Sequence, residues 1–258
     1  MVNLLVSTHS RVIDFDTETK ESKVIHVGHG VYYGLVYPWV VSRANEECLL
    51  NIETGEKVLI PSVFTHDATK VGSRIIVTDC GGGGLVELQY PSMKLVRHVK
   101  PFTPKHHVNT VAIVNGDVWA LLHNLGKSIL VKVDMDTGAW IEQRTNVGTQ
   151  SHGLAWWRDA FVILDSYGGA VLHGDTTVWK SDTKCFLKGL CVHDDIAYFG
   201  ISDVTERSNR GSPSLQCEVA ALNLVTGQLV WRHRIKTCGL LNALLKFPKT
   251  CEPRHSKS

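Results

Sequence analysis

The fold is decided by Asn109-Thr110-Val111-Ala112-Ile113-Val114-Asn115-Gly116-Asp117-Val118-Trp119-Ala120-Leu121-Leu122-His123. Two apolar runs, rich in β-branched residues, flank an Asn-Gly pair. Such runs suit a pleated, half-buried strand, and Asn-Gly supplies the two positive-φ positions of a two-residue hairpin. The stretch therefore predicts strands at 109–114 and 117–123. A polar loop, 124–127, leads to a third strand at 128–133. Asp134-Met135-Asp136-Thr137-Gly138 then turns the chain into a fourth, 139–143. Four antiparallel strands in sequence are the unit of a propeller blade.

The same unit recurs at intervals of roughly forty residues, the signature of a repeat architecture. Its closing turn reappears as Asn51-Ile52-Glu53-Thr54-Gly55 and Asn223-Leu224-Val225-Thr226-Gly227, with Asp14-Phe15-Asp16-Thr17 as a weaker copy. Units are read at 34–60, 68–99, 109–143, 154–180 and 190–234. Two fragments remain, one strand at 240–247 and three strands within 3–27. Joined, they make a sixth blade, which leaves no open sheet edge. The prediction is an all-β chain with one six-bladed propeller over 1–247 and a polar tail at 248–258.

This repeat resembles the six-bladed β-propeller superfamily over nearly the whole chain. The segment Thr226-Gly227-Gln228-Leu229-Val230-Trp231 also resembles the blade motif of quinoprotein-type propellers, a structural turn that implies no quinone.

Ahead of the innermost strands stand Gly28-His29-Gly30, Thr65-His66-Asp67, His106-His107-Val108, Ser151-His152-Gly153, Leu187-Lys188-Gly189 and Thr237-Cys238-Gly239. In a propeller these entries converge on one mouth of the central channel. Read as one column, they place His29, His66, His107, His152, Lys188 and Cys238 in a ring. Imidazole is the commonest ligand for zinc, iron, copper and nickel, and three or four converging rings can hold a divalent ion with an open position. Two known propellers are similar: the carotenoid cleavage oxygenases, seven-bladed with four histidines on iron, and the six-bladed peptidyl-hydroxyglycine lyase domain, with three histidines on zinc. The resemblance implies a metal-dependent enzyme, an iron oxygenase or a zinc lyase or hydrolase. The expected metal ligands are His29, His66, His107 and His152. Fe(II) is favoured because four histidines outnumber the usual three of catalytic zinc; Zn(II) and Cu(II) are the alternatives.

The loops between second and third strands share that face and bring His9, Arg43, Cys80, His123, Asp165, Tyr167, Arg207 and Arg210 to it. The expected catalytic set is Lys188, Arg207, Arg210 and Cys238. Lys188 and the arginines would hold an anionic substrate, and Cys238 would act as a thiolate or a soft-metal ligand. Asp67 and Asn109 are placed to accept hydrogen bonds from imidazole and fix its tautomer. The reading in another class is a non-catalytic propeller that binds a protein or peptide across the mouth.

The remaining signals mainly exclude. A formal charge of +2 over 258 residues gives no reason to expect nucleic acid. Seven cysteines contain no Cys-x-x-Cys pair, which argues against a zinc knuckle and for free thiols in a reducing, cytoplasmic setting. No apolar run reaches the ~18 residues of a membrane span, and the N-terminus lacks a basic region and long apolar core. Gly81-Gly82-Gly83-Gly84 has no following Gly-Lys-Ser/Thr, so it is a hairpin and not a phosphate loop. The acidic entry residue of the calcium lactonase propellers is missing. The partner expected is a small-molecule substrate, with no nucleic acid and no membrane; oligomeric state is left open.

Overall fold

The computed structural model of the chain describes residues 2–28, 30–212, 214–215, 217–235 and 239–247. They form six four-stranded antiparallel sheets, five of them meanders whose strands pair in chain order. The closing blade has the order Leu241–Phe247, Asn3–Thr8, Arg11–Asp16, Ser22–Val27, so both ends of the chain share one sheet. The second to sixth blades begin with inner strands Val31–Val36, Ala68–Val71, Val108–Val114, His152–Trp157 and Phe186–His193. The six-bladed reading and its closure hold. In the fourth blade the strands are Val108–Val114, Asp117–Leu122, Ile129–Val133 and Trp140–Arg144, within a residue of expectation at each end.

Local chemistry explains the hairpins. Asn115 and Gly116 have φ of 53° and 87°, the two left-handed positions of a type I′ turn. In the Asp/Asn-x-x-Thr-Gly turns, Oδ1 of the first residue accepts two backbone N–H groups: those of Glu53 and Thr54 at Asn51, Asp136 and Thr137 at Asp134, Val225 and Thr226 at Asn223. The weaker copy works in the same way. Asp16 takes the N–H groups of Glu18 and Thr19, and Lys20 sits at φ 65° where the other turns have glycine.

Burial follows position in the blade. Middle strands such as Arg74–Asp79 and Gly84–Gln89 are almost wholly buried, because neighbouring blades cover both faces. Outer strands such as Lys94–Val99 are half exposed. The core is accordingly divided into six clusters, one at each seam between adjacent blades. Phe15 and Val219 meet at the seam between the closing and sixth blades, and Tyr32 and Leu5 at the next.

At the axis each inner strand is interrupted. The pairing register slips at Asn109, Gly153, Gly189 and Asn242, and around Tyr33-Gly34. In the third blade Thr78 donates to the carbonyl of Asp67 before regular pairing starts at Ala68. These bulges bring backbones together. A Cβ on Gly34 would lie 2.4 Å from the nitrogen of Ala68, so no side chain fits there. Among the described residues, no helix is long and apolar enough to cross a membrane.

Candidate functional site

The bulges set the true column. The residue before each is Tyr33, His66, Val108, His152, Lys188 or Leu241. His66, His152 and Lys188 are therefore equivalent. His107 lies one residue ahead, at the end of a short 3-10 turn, Pro104–His106, with φ 51°. That offset aims it back toward the third blade. His29 and Cys238 lie outside the described residues. Of Arg207, in the turn Arg207–Asn209, only the backbone is described.

Aromatic rings line the mouth in an arc. Ring centroids are 6.4 Å apart for His9 and Tyr33, 5.1 Å for Tyr33 and His66, and 5.1 Å for His66 and His107. They continue at 5.0 Å for His107 and His123, then 5.1 Å for His123 and His152. His66 and His107 are thus neighbours. Between them and His152 stands His123, supplied by the loop after Leu122.

Within the arc, His66, Cys80 and His107 each turn one donor atom toward a common point, all within 4.8 Å of one another. Cys80 Sγ is 3.0 Å from His107 Nδ1, and His66 Nδ1 is buried without a hydrogen-bond partner. Burial, with the positive charge of Lys188 next, holds His66 well below its usual pKa, so its lone pair is free at neutral pH. Burial first, and then His107, Lys188 and Arg210, bring His123 down to about 3. A neutral imidazole beside a thiol and a second imidazole is a donor set for a thiophilic divalent ion. The 4.8 Å span exceeds the ~3.5 Å edge of a tetrahedron with bonds of about 2.0–2.3 Å, so binding would draw the donors in by about an ångström.

The fifth blade is a natural control. By register, His152 matches His66 and Ser166 matches Cys80. There the polar groups satisfy each other. His152 Nδ1 lies 2.9 Å from both Ser166 Oγ and the carbonyl of Gln150, and Asn109 Nδ2 donates to its Nε2 at 2.9 Å. Both nitrogens are engaged, so His152 is anchored as a structural residue in this arrangement. Asn109 acts as a donor, where an acceptor was expected. Asp67 contacts no imidazole nitrogen in a hydrogen bond; its Oδ2 accepts the N–H of Val111. Burial raises its carboxyl to about 7.

Positive charge surrounds the mouth. Arg43 donates to the Tyr33 hydroxyl at 2.8 Å, stacks on that ring, and leaves Nη1 buried without a partner. Lys188, 6% exposed, donates to Asn242 Oδ1 at 2.9 Å. Burial first, and then Arg210 and Arg43, lower its pKa to about 7. His9 falls to about 4, by burial first and then by Lys188, Arg210 and Arg43. Arg210 thus contributes charge to the mouth while its carbonyl ties down Leu240. Asn242 carried no functional expectation. Its signal in the sequence was a polar residue inside an apolar run, Leu240-Leu241-Asn242-Ala243-Leu244.

No protein-family model matches the chain, and no curated protein matches it. Solved structures do. A chain of a nidogen/laminin complex superimposes with a TM-score of 0.73 at 12% identity, over 97% of this chain and 100% of that one. A protein of unknown function from Bacteroides caccae gives 0.70 at 11% identity, over 95% and 99%. The computationally designed Ika8 protein gives 0.51 at 14% identity, over 92% and 73%. Likeness at these identities carries the architecture alone: the chain is a six-bladed β-propeller.

Proposed function

We propose that the protein is a metal-dependent enzyme whose ion is held by His66, Cys80 and His107 at the channel mouth. The observation that carries this reading is His66, which has a ring nitrogen within 4.8 Å of the Cys80 thiol and a buried Nδ1 with no hydrogen-bond partner, where the equivalent pair His152–Ser166 is hydrogen-bonded. The thiol shifts the preferred ion from Fe(II) toward Zn(II), with copper next. Three protein ligands leave a fourth position open. Zinc bound there would polarise a substrate oxygen or make a bound water nucleophilic near neutral pH.

The chain's own residues supply the rest. Arg43, Arg210 and Lys188 give the mouth a positive field that attracts a small anionic substrate. His123, kept neutral by burial, stands one ring from His107 at the edge of the site. A thiol ligand also fits a reducing, cytoplasmic setting.

Elemental analysis of untagged protein tests the reading. The expected result is about one zinc or copper per chain, with affinity at least tenfold weaker in Cys80→Ser and lost in His66→Ala while the circular dichroism of the fold persists. A wild-type chain that refuses Zn(II), Cu(II) and Fe(II) would overturn it in favour of a propeller that binds a peptide or protein at the mouth.

A further inference from the structure

Beyond the histidine arc, the six inner strands enclose a second space. A cavity of about 390 Å³ runs along the axis from the bulges toward the exit ends of the strands. It falls within the ~300–1,000 Å³ of small-molecule pockets. At one end stand Lys188, Asn242, Asn109, Asp67, His66 and His152; Tyr37, Lys70, Cys191 and Leu245 stand at the other. From Lys188 to Cys191 is three residue steps, about 10 Å of strand. Between these ends the lining mixes Leu35, Val111, Leu154, Leu190 and Leu244 with Thr69 and Thr110.

The charge in this cavity is not balanced. An ammonium offers three donors, and the one hydrogen bond described for Lys188 goes to a neutral amide, Asn242. Asn242 is itself fixed, its Nδ2 donating to the carbonyl of Tyr32 at 2.6 Å. Repulsion from Arg210 and Arg43 outweighs the attraction of Asp67, the carboxylate that lines the same end. The other described contact of Lys188 is also neutral, the face of the Tyr33 ring 5.3 Å away. Burying a cation among neutral partners is costly, and an anion brought into the cavity relieves that cost. The groups that reject other ligands are also present. A cation would meet Lys188 and, at the entrance, Lys70; a large polar ligand would lose hydrogen bonds along the leucine and valine walls.

We propose that the axial cavity is a binding site for a small organic anion, its carboxylate against Lys188 and its apolar body lying along the inner strands. This site adjoins the proposed metal centre through His66, which lines the cavity, and does not depend on a bound ion. Isothermal titration of the full chain with hexanoate, hexan-1-ol and hexylamine, in EDTA, tests it. Hexanoate is expected to bind, and the alcohol and the amine at least about tenfold more weakly, as a hydrogen bond to a charged group implies. Lys188→Met should lose the preference for the acid and Lys188→Arg retain part of it, with thermal unfolding recorded for both.

Should Lys188→Met fail to fold, the unaltered protein still decides. Hexanoate, and not hexan-1-ol, is expected to slow alkylation of Cys191, which lines the cavity, with Cys191→Ser identifying the labelled site. Absence of both binding heat and Cys191 protection at millimolar hexanoate would overturn the proposal, as would equal binding of acid and alcohol. Binding that appears only with zinc, and disappears in Cys80→Ser, would place the carboxylate on the metal centre and also overturn it. Failure to bind metal leaves the expected hexanoate result unchanged, so the two readings fail separately.

Discussion

Asp79 shows how much one side chain can organise beside the site. It is 1% exposed. Its Oδ1 accepts the N–H groups of Val63 at 2.7 Å and Gly82 at 2.9 Å, and its Oδ2 pairs with His98 at 2.9 Å. Its equivalent in the fifth blade, Asp165, accepts from Thr149 and Gly168 but is more exposed and has no histidine partner. Asp79→Ala is therefore expected to cost about 3 kcal/mol, because two backbone N–H groups and an imidazole lose a buried, charged acceptor. Asp165→Ala should cost less than half as much. Urea unfolding of both variants in EDTA measures the difference, and equal costs would contradict it. The histidine column was legible at this scale because His66, His152 and Lys188 truly share a register. Of the proposed donors, His66 and His107 were read as ligands from the sequence and Cys80 was not. Cys80 comes from the loop after a second strand, and only the fold reveals which loop residue faces which imidazole.

At the scale of the element, turn chemistry carried most of the information. Gly55, Gly138 and Gly227 all have φ of 70° to 76°, a region where a Cβ is strained. A Cβ on Gly138 meets open space, whereas on Gly227 it would lie 2.8 Å from the carbonyl oxygen of Val178, in the outer strand Thr176–Lys180 of the preceding blade. Gly138→Ala is expected to cost about 1 kcal/mol, and Gly227→Ala about 2 kcal/mol or more, as the outer strand is pushed away. Chemical denaturation distinguishes them, and a Gly227 variant no worse than the Gly138 variant would contradict the packing argument. These turns are written in residue type, so strand ends could be placed to within a residue in the fourth blade. The bulges at the axis could not. They arise where six backbones crowd together, as at Gly34 against Ala68, and nothing within one blade's sequence records the neighbour's approach. That is why His107 was set level with His66 although the bulge at Asn109 puts Val108 there.

For the whole molecule, ring closure concentrates titratable groups where water is scarce, and this links stability to pH. His9, His66, His123 and His152 all have folded-state pKa values below the ordinary 6.5, chiefly through burial. As pH falls through 6.5 the unfolded chain takes up protons at these four sites and the folded chain does not, so stability falls. Asp67 acts in the opposite sense. Its carboxyl, raised to about 7, is already protonated in the folded chain between about pH 4 and 7, where the unfolded chain is ionised, so it resists the loss by one proton. Lys188, lowered to about 7, removes stability as pH falls from its ordinary value near 10.5 toward 7 and adds nothing further below that. The net expectation near pH 5 is uptake of about three protons on unfolding, each worth about 1.4 kcal/mol per pH unit. The metal-free chain should therefore be stable at pH 7.5 and lose stability steeply between pH 6.5 and 4.5. Urea midpoints across that range, recorded in EDTA, test this. His152→Gln, which removes one titrating site, should flatten the slope by about one proton, and a midpoint independent of pH over this range would show that the mouth is more hydrated than its geometry implies.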